Sequence, residues 1–189
     1  KVIGLIGLGN VGRSVAKKAY CFGMKIIGYD PYIDPCTLPE YIEYTDDLDQ
    51  IFKESDFVSL HLSASEQTRG LVNIGKLALM KPTAFLLNFS RGSIVNEKDL
   101  YEALKNKIIS GAALDVFATE PVEKDNPLLT LDNVLLSPHS AALTVEAMDR
   151  MSYQGAQGII EILNGKVPTW CVNYEEVNKI RQNKGLSGM

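Results

Sequence analysis

Short apolar runs recur along the chain, and segments with helical periodicity separate them. The runs are nearly continuous rather than alternating, which is typical of parallel strands buried on both faces. They occupy residues 2–6, 25–29, 57–62, 84–89, 111–117 and 133–136, and residues 41–44 are interpreted as a further short strand. The pattern therefore predicts a strand at each of these places.

Helical patterns fill the intervals between these runs. In the first interval, the spacing predicts one apolar stripe along a helix, made of Val11, Val15, Ala19 and Phe22. Gly23 follows as a stop signal, and Asn96 stands as an N-cap with Asp99 three residues further on. The longest helix is predicted over residues 144–164, and residues 174–183 are predicted to form a short helix.

Strand and helix alternate throughout, which predicts an α/β fold with a doubly wound parallel sheet of the Rossmann type. Right-handed crossovers then place the loops that follow the strands along one edge of the sheet. Ligands of such folds bind at that edge, outside the carboxyl ends of the strands. Side chains just after the apolar runs are therefore the first candidates for a functional site.

The composition limits the classes of function. The chain has 189 residues, of which 46% are hydrophobic and 22% are charged, and its net charge is −4. This acidic balance argues against a general nucleic-acid or anionic-membrane binder, and no apolar run approaches the roughly 20 residues of a membrane span. Cys21, Cys36 and Cys171 form no CxxC pair, which favours a reducing, cytoplasmic setting. No His/Cys cluster has the spacing of a metal site, so no metal is predicted.

A glycine-rich loop joins the first apolar run to the first helical pattern. Gly7, Gly9 and Gly12 have the spacing GxGxxG, within the order of strand, loop, helix, strand and acid that a dinucleotide site requires. Gly7 permits the tight turn, Gly9 lets the backbone approach a pyrophosphate, and Gly12 lets the helix pack closely. Asp30, 18 residues after Gly12, can accept the ribose hydroxyls of NAD and would repel the 2′-phosphate of NADP. The sequence therefore predicts NAD as the cofactor.

Residues for chemistry follow other strands. Hydride transfer to NAD from an alcohol needs a base that titrates near neutral pH, and histidine is the natural choice. The chain has two, His61 and His139, and their positions after strands do not rank them. Arg91 and Glu120 also follow strands. An arginine there can bind a substrate carboxylate through two parallel hydrogen bonds, and a carboxylate such as Glu120 can orient the base. Taken singly, an arginine such as Arg91 is more often a surface ion-pair residue and an acid such as Glu120 a solvated loop residue. The alternative for each histidine is a local hydrogen bond only.

Five segments in succession resemble the signatures of one family. They are GLGNVG with Asp30, HLSASEQTRG, LLNFSRGSIVNEKDL, GAALDVFATEP and LLSPHSAALT. In this order they resemble the NAD-dependent D-isomer-specific 2-hydroxyacid dehydrogenases, and the nucleotide-binding domain is D-3-phosphoglycerate dehydrogenase-like. The resemblance implies an NAD-binding domain over residues 1–173, followed by a C-terminal tail over residues 174–189. Ser140, Ala141 and Ala142 replace glycines that are common there, which weakens phosphoglycerate as the substrate but leaves the catalytic set intact.

The resemblance also implies roles for single residues. It assigns catalysis to Arg91, Glu120 and His139, so that His139 is the base and His61 a wall of the nicotinamide pocket. An aspartate such as Asp115 lies by the nicotinamide carboxamide in this family. The cofactor-binding positions that it implies are Gly7, Gly9, Asn10, Val11, Gly12, Asp30, His61, Leu62, Phe89, Ser90, Arg91, Asp115, His139 and Ala141.

The implied activity is hydride transfer between NAD and a small D-2-hydroxy acid or 2-oxo acid. Family members form homodimers through this domain, and residues 97–106 and 127–131 are candidate surfaces. Their substrate-binding domain lies largely before the first strand, and this chain begins at Lys1 inside a predicted strand. We therefore expect a fragment that binds NADH without turning over hydroxy acids. The alternatives are an NAD-sensing corepressor of the same ancestry and an isolated NAD-binding module.

Overall fold

Seven parallel strands form one sheet in the computed structural model, which describes residues 1–183 of the chain. The strands are β1 (Val2–Ile6), β2 (Lys25–Tyr29), β3 (Ile42–Tyr44), β4 (Phe57–Leu60), β5 (Phe85–Asn88), β6 (Gly111–Leu114) and β7 (Val134–Leu136). Their order is β3-β2-β1-β4-β5-β6-β7, and every neighbouring pair is parallel. This is the doubly wound Rossmann-type order, so the predicted fold class is confirmed.

Helices follow the strands in alternation over most of the sheet. They are α1 (Asn10–Cys21), α2 (Leu48–Glu54), α3 (Ile74–Leu77), α4 (Glu97–Lys105), α5 (Val145–Leu163) and α6 (Tyr174–Asn183). The predicted ends are confirmed at three places: Gly23 has a φ of 73°, Asn96 accepts a bond from the N–H of Asp99, and Thr144 caps α5. Glycine tolerates a positive φ at no steric cost, which explains its place after α1.

Three strands end earlier than their apolar runs. The predicted ends were residues 62, 89 and 117, whereas β4, β5 and β6 end at Leu60, Asn88 and Leu114. The apolar residues beyond these points leave the hydrogen-bonded ladder and enter the loops at the carboxyl edge. Hydrophobicity alone does not distinguish a strand from an apolar loop segment that continues it.

Two apolar clusters cover the two faces of the sheet, because alternate strand residues point in opposite directions. Ile6 and Ile27 belong to one cluster, and Leu5 and Ile26 belong to the other. The predicted stripe of α1 is wrong in part. Its buried residues are Gly12, Ala16 and Ala19, with Val15 packed beside them, whereas Val11 is 63% and Phe22 is 85% exposed. Small residues face the sheet because α1 approaches it closely at Gly12.

The chain divides into two compact units, residues 1–141 and residues 142–189. The first contains the whole sheet. In the second, Glu161 of α5 accepts bonds from the N–H and the hydroxyl of Thr169. The predicted domain end at residue 173 stays a prediction, and residues 184–189 of the predicted tail lie outside the described residues. No helix within residues 1–183 combines the length and apolarity needed to cross a membrane.

Candidate active site

The glycine loop directly follows β1. Gly7 has a φ of 97°, and its N–H donates to the carbonyl of Tyr29 at 2.9 Å. A Cβ added to Gly12 would lie 2.0 Å from the carbonyl oxygen of Gly7, so only glycine fits there. This close approach fixes the start of α1 against the end of β1.

The N-terminus of α1 is open. Gly9 precedes the helix, and no side chain caps it within the described residues. A Cβ added to Gly9 would meet nothing within 4 Å. The first-turn N–H groups, which include those of Asn10 and Val11, can therefore bind an anion, and the helix dipole favours negative charge at this end. A pyrophosphate fits this cradle.

Asp30 follows β2 and faces the glycine loop. Its Oδ2 accepts from the N–H of Leu8 at 2.8 Å, and its Oδ1 accepts from the N–H of Tyr32 at 3.0 Å. Each carboxylate oxygen keeps a second lone pair, which a ribose hydroxyl can use. The two backbone bonds fix the carboxylate before any ligand binds.

A cleft of about 370 Å³ lies beside the start of α1. Six of the predicted cofactor-binding residues line it, and they are Val11, His61, Leu62, Phe89, Ser90 and Arg91. His61 Nε2 lies 3.0 Å from the hydroxyl oxygen of the buried Ser59, and burial lowers the pKa of His61. His61 is therefore neutral at pH 7 and forms part of the wall of this cleft.

A turn after β5 presents Arg91. Asn88, which is 1% exposed, accepts bonds from the N–H and the hydroxyl of Ser90 and donates to the carbonyl of Arg91. The guanidinium Nη1 donates to the carbonyl of Ser90 at 2.7 Å. Since arginine carries five N–H donors, most remain for a ligand. A carboxylate is the ligand that this fork fits best.

Glu120 and His139 meet across two separate loops. Nδ1 of His139 lies 2.7 Å from Oε2 of Glu120, and Oε1 of Glu120 accepts from the N–H of Phe117 at 3.0 Å. The bond from His139, followed by the bond from Phe117, holds the pKa of Glu120 below its ordinary value. A cleft of about 400 Å³ with mainly apolar walls adjoins the pair. The predicted meeting of these residues is confirmed.

Asp115 organises the loop that carries His139. Its Oδ1 accepts from the hydroxyl of Ser137 at 2.6 Å and from the N–H of Ser140 at 2.8 Å, and its Oδ2 accepts from the N–H of Ala141 at 2.9 Å. Burial raises the pKa of Asp115, but these bonds outweigh it and leave the pKa below the ordinary value. The carbonyl of Asp115 also accepts from the N–H of His139 at 2.8 Å. His139 has a φ of 52°, a strained conformation that these surrounding bonds maintain.

The site also contains residues that the sequence reasoning missed. Asn88 shapes the Arg91 turn, Ser137 bonds to Asp115, and Ser59 bonds to His61. The available signal was a polar residue within or just after an apolar strand, since a buried polar group normally has a partner. Among the described residues, no group of three or more His, Cys, Asp or Glu side chains could hold a metal ion.

The glycine loop, the open end of α1 and Asp30 define a dinucleotide-binding α/β domain. A family model described as "D-isomer specific 2-hydroxyacid dehydrogenase, NAD binding domain" matches residues 1–141. The chain belongs to this family of D-isomer-specific 2-hydroxyacid dehydrogenases, and its sheet unit is the NAD-binding domain.

Known relatives cover nearly all of the chain, whereas the chain covers only part of them. It is 44% identical over 186 residues to D-3-phosphoglycerate dehydrogenase of Methanocaldococcus jannaschii. This alignment covers 97% of the chain and 35% of the relative. The chain is 42% identical to glyoxylate reductase of Korarchaeum cryptofilum, over 96% of the chain and 54% of the relative. The structure of D-lactate dehydrogenase with NAD⁺ from Lactobacillus jensenii matches with a TM-score of 0.83 and 32% identity, over 92% of this chain and 56% of that one.

Proposed function

We propose that this domain, within its full-length protein, transfers hydride between NAD(H) and C2 of a D-2-hydroxy acid or 2-oxo acid. The observation that carries the proposal is the 2.7 Å bond between His139 and Glu120 at the edge where Arg91 also lies. A base, its orienting carboxylate and a carboxylate-binding cation are the set that this reaction requires. Bound NAD supplies the hydride acceptor.

His139 exchanges the proton of the substrate hydroxyl through Nε2. Glu120 is ionised because its pKa lies below the ordinary value, and an ionised carboxylate only accepts hydrogen bonds. Nδ1 of His139 therefore donates to it, and Nε2 is the atom that gains and loses the proton. The left-handed backbone at His139 and the bonds to Asp115 keep the ring facing Glu120.

Arg91 holds the substrate carboxylate and polarises the C2 carbonyl. Its turn lies directly against the Glu120 segment, since a Cβ on Gly92 would be 1.9 Å from the carbonyl carbon of Phe117. Relatives named glyoxylate reductase, hydroxypyruvate reductase and D-lactate dehydrogenase support short 2-oxo acids as the substrate class.

The experiment is an assay of the full-length protein with NADH and a panel of glyoxylate, hydroxypyruvate, pyruvate and 3-phosphohydroxypyruvate. Arg91→Lys and Arg91→Ala are assayed beside the wild type. We expect the wild type to oxidise NADH with at least one acid. The KM for that acid should be higher in both variants, because neither lysine nor alanine carries a bidentate guanidinium. NADH binding without turnover of any acid would contradict the proposal and favour the corepressor. The 189-residue chain alone should bind NADH, seen as fluorescence enhancement, without turnover.

We further propose that the protein is a cytoplasmic homodimer that pairs through this domain. Cys21 and Cys36 are exposed free thiols, which supports a reducing compartment.

The candidate dimer surface is α4 with the short helix Pro127–Thr130 that packs on it, where Leu129 is 41% exposed. Light scattering of the full-length protein should give twice the monomer mass, and Leu129→Glu should reduce it to the monomer. A monomeric wild type would contradict the proposal.

A further inference from the structure

The loop that carries Glu120 has few packing contacts of its own. Residues 117–126, here called the Glu120 loop, begin with the buried Phe117, but residues 118–121 and 123–125 are exposed. Nevertheless Glu120 must stay within hydrogen-bond distance of His139 for the proposed chemistry. Anchors at the ends of the loop are therefore needed to hold it.

Both ends of the Glu120 loop are bonded to one side chain, that of Glu97 at the start of α4. Oε1 of Glu97 accepts from the N–H of Ala118, and Oε2 accepts from Nδ2 of Asn126 at 3.0 Å. The two bonds close the base of the loop. Glu97 also lies six residues after Arg91, so it links the Arg91 segment to the Glu120 loop.

An acid in the first turn of a helix often serves only the helix itself. Here the capping is done by another residue, because the side chain of Asn96 accepts the N–H of Asp99. The two oxygens of Glu97 point to a different segment instead. Gly92 packs against the same end of the loop, where a Cβ would lie 2.4 Å from the nitrogen of Ala118.

We propose that Glu97 is a positioning residue: it holds the Glu120 loop in place and so keeps Glu120 within hydrogen-bond distance of His139. The inference rests on the proposed function for the catalytic importance of Glu120, but its geometric content does not. Glu97 acts only through the loop and touches neither substrate nor cofactor in this role.

The chemistry of the two bonds allows a rescue experiment. Glu97→Gln keeps an oxygen for the N–H of Ala118 but turns an NH₂ group toward the NH₂ of Asn126. Asn126→Asp keeps the oxygen that accepts the N–H of Leu128 but places a carboxylate against Glu97. In the double variant Glu97→Gln/Asn126→Asp, the glutamine NH₂ can donate to the new carboxylate, so both bonds are restored.

The readout is the imidazole ¹⁵N spectrum of the 189-residue chain, which contains only two histidines. Each single variant should move the His139 nitrogen resonances toward those of Glu120→Gln, and the double variant should return them to the wild-type positions. The His61 resonances should stay fixed and serve as the internal control. Glu40→Gln, with the same charge change at an exposed position outside α4, should have no effect.

Wild-type His139 resonances in both single variants would overturn the proposal, and so would the absence of rescue in the double variant. Equal movement of His61 and His139 would also overturn it, because that indicates general loosening. In the full-length enzyme kcat of the single variants should fall, by up to about 10²-fold, with the KM for NADH unchanged. The spectrum does not depend on turnover, so failure of the proposed function and failure of this inference are distinguishable.

Discussion

Replacement of Asp115 by Asn should destabilise the domain in a pH-dependent way. The carboxylate accepts three bonds, from Ser137, Ser140 and Ala141, and is 2% exposed. An asparagine oxygen can keep the first two bonds, but its NH₂ then faces the N–H of Ala141. One bond to a charged group is lost, which costs roughly 1.5–3 kcal/mol. For a chain of this size we expect Tm to fall by about 3–12 °C, at roughly 2–4 °C per kcal/mol.

The sign of the pH dependence follows from the lowered pKa of Asp115. A carboxyl whose folded pKa is depressed stabilises the fold fully above its ordinary pKa of 3.8, and this contribution is lost as the pH falls through the folded value. The difference in unfolding free energy between wild type and Asp115→Asn should be constant from pH 6 to 8 and shrink below about pH 4.

Urea unfolding at a series of pH values measures this difference, provided that both proteins unfold in two states. Asp132→Asn is the matched control, since it removes the same charge from an exposed position. An Asp115→Asn protein as stable as the wild type at pH 7 would refute the reasoning. A difference that persists undiminished at pH 3 would also refute it, because the carboxyl would then be held by something other than its charge.

Three further predictions concern the cofactor. Asp30→Ala should narrow the preference for NAD over NADP in parallel titrations; equal or tighter NADP binding by the wild type would contradict this role. Gly12→Ala should destabilise the fold by about 1–3 kcal/mol, since its Cβ would overlap the carbonyl of Gly7, and it should weaken NADH binding. An unchanged Kd for NADH in calorimetry would count against the close approach. His61→Ala should raise the Kd for NADH and leave the proton-transfer step in place, and loss of that step would mean that the base was misassigned.

The sheet was predictable because its strands are buried on both faces and leave a continuous apolar signal. The dinucleotide loop was predictable because two of its glycines have a steric reason that the spacing reveals: Gly7 has a positive φ, and Gly12 leaves no room for a Cβ beside the carbonyl of Gly7. The exposed positions of Val11 and Phe22 were not, because helix rotation depends on how closely Gly12 allows α1 to approach the sheet.

The inner contacts of the candidate site were less accessible from the sequence. Glu120 and His139 could be paired by resemblance, but the two bonds of Glu97 join residues 21 and 29 positions away in the chain. Asn88 was hidden at the end of an apolar run. Such contacts depend on which loops the sheet order brings together, and local patterns do not contain that information.

In the proposed reaction, His139 transfers the substrate proton while the glycine loop and Asp30 hold the cofactor. Stopped-flow single turnover of NADH with the best 2-oxo acid, in full-length wild type and His139→Ala, tests it most directly. We predict a loss in rate on the order of 10²–10⁴-fold, while NADH binding is retained. A variant that reduces the acid at the wild-type rate, or that loses NADH binding together with its rate, would contradict the account.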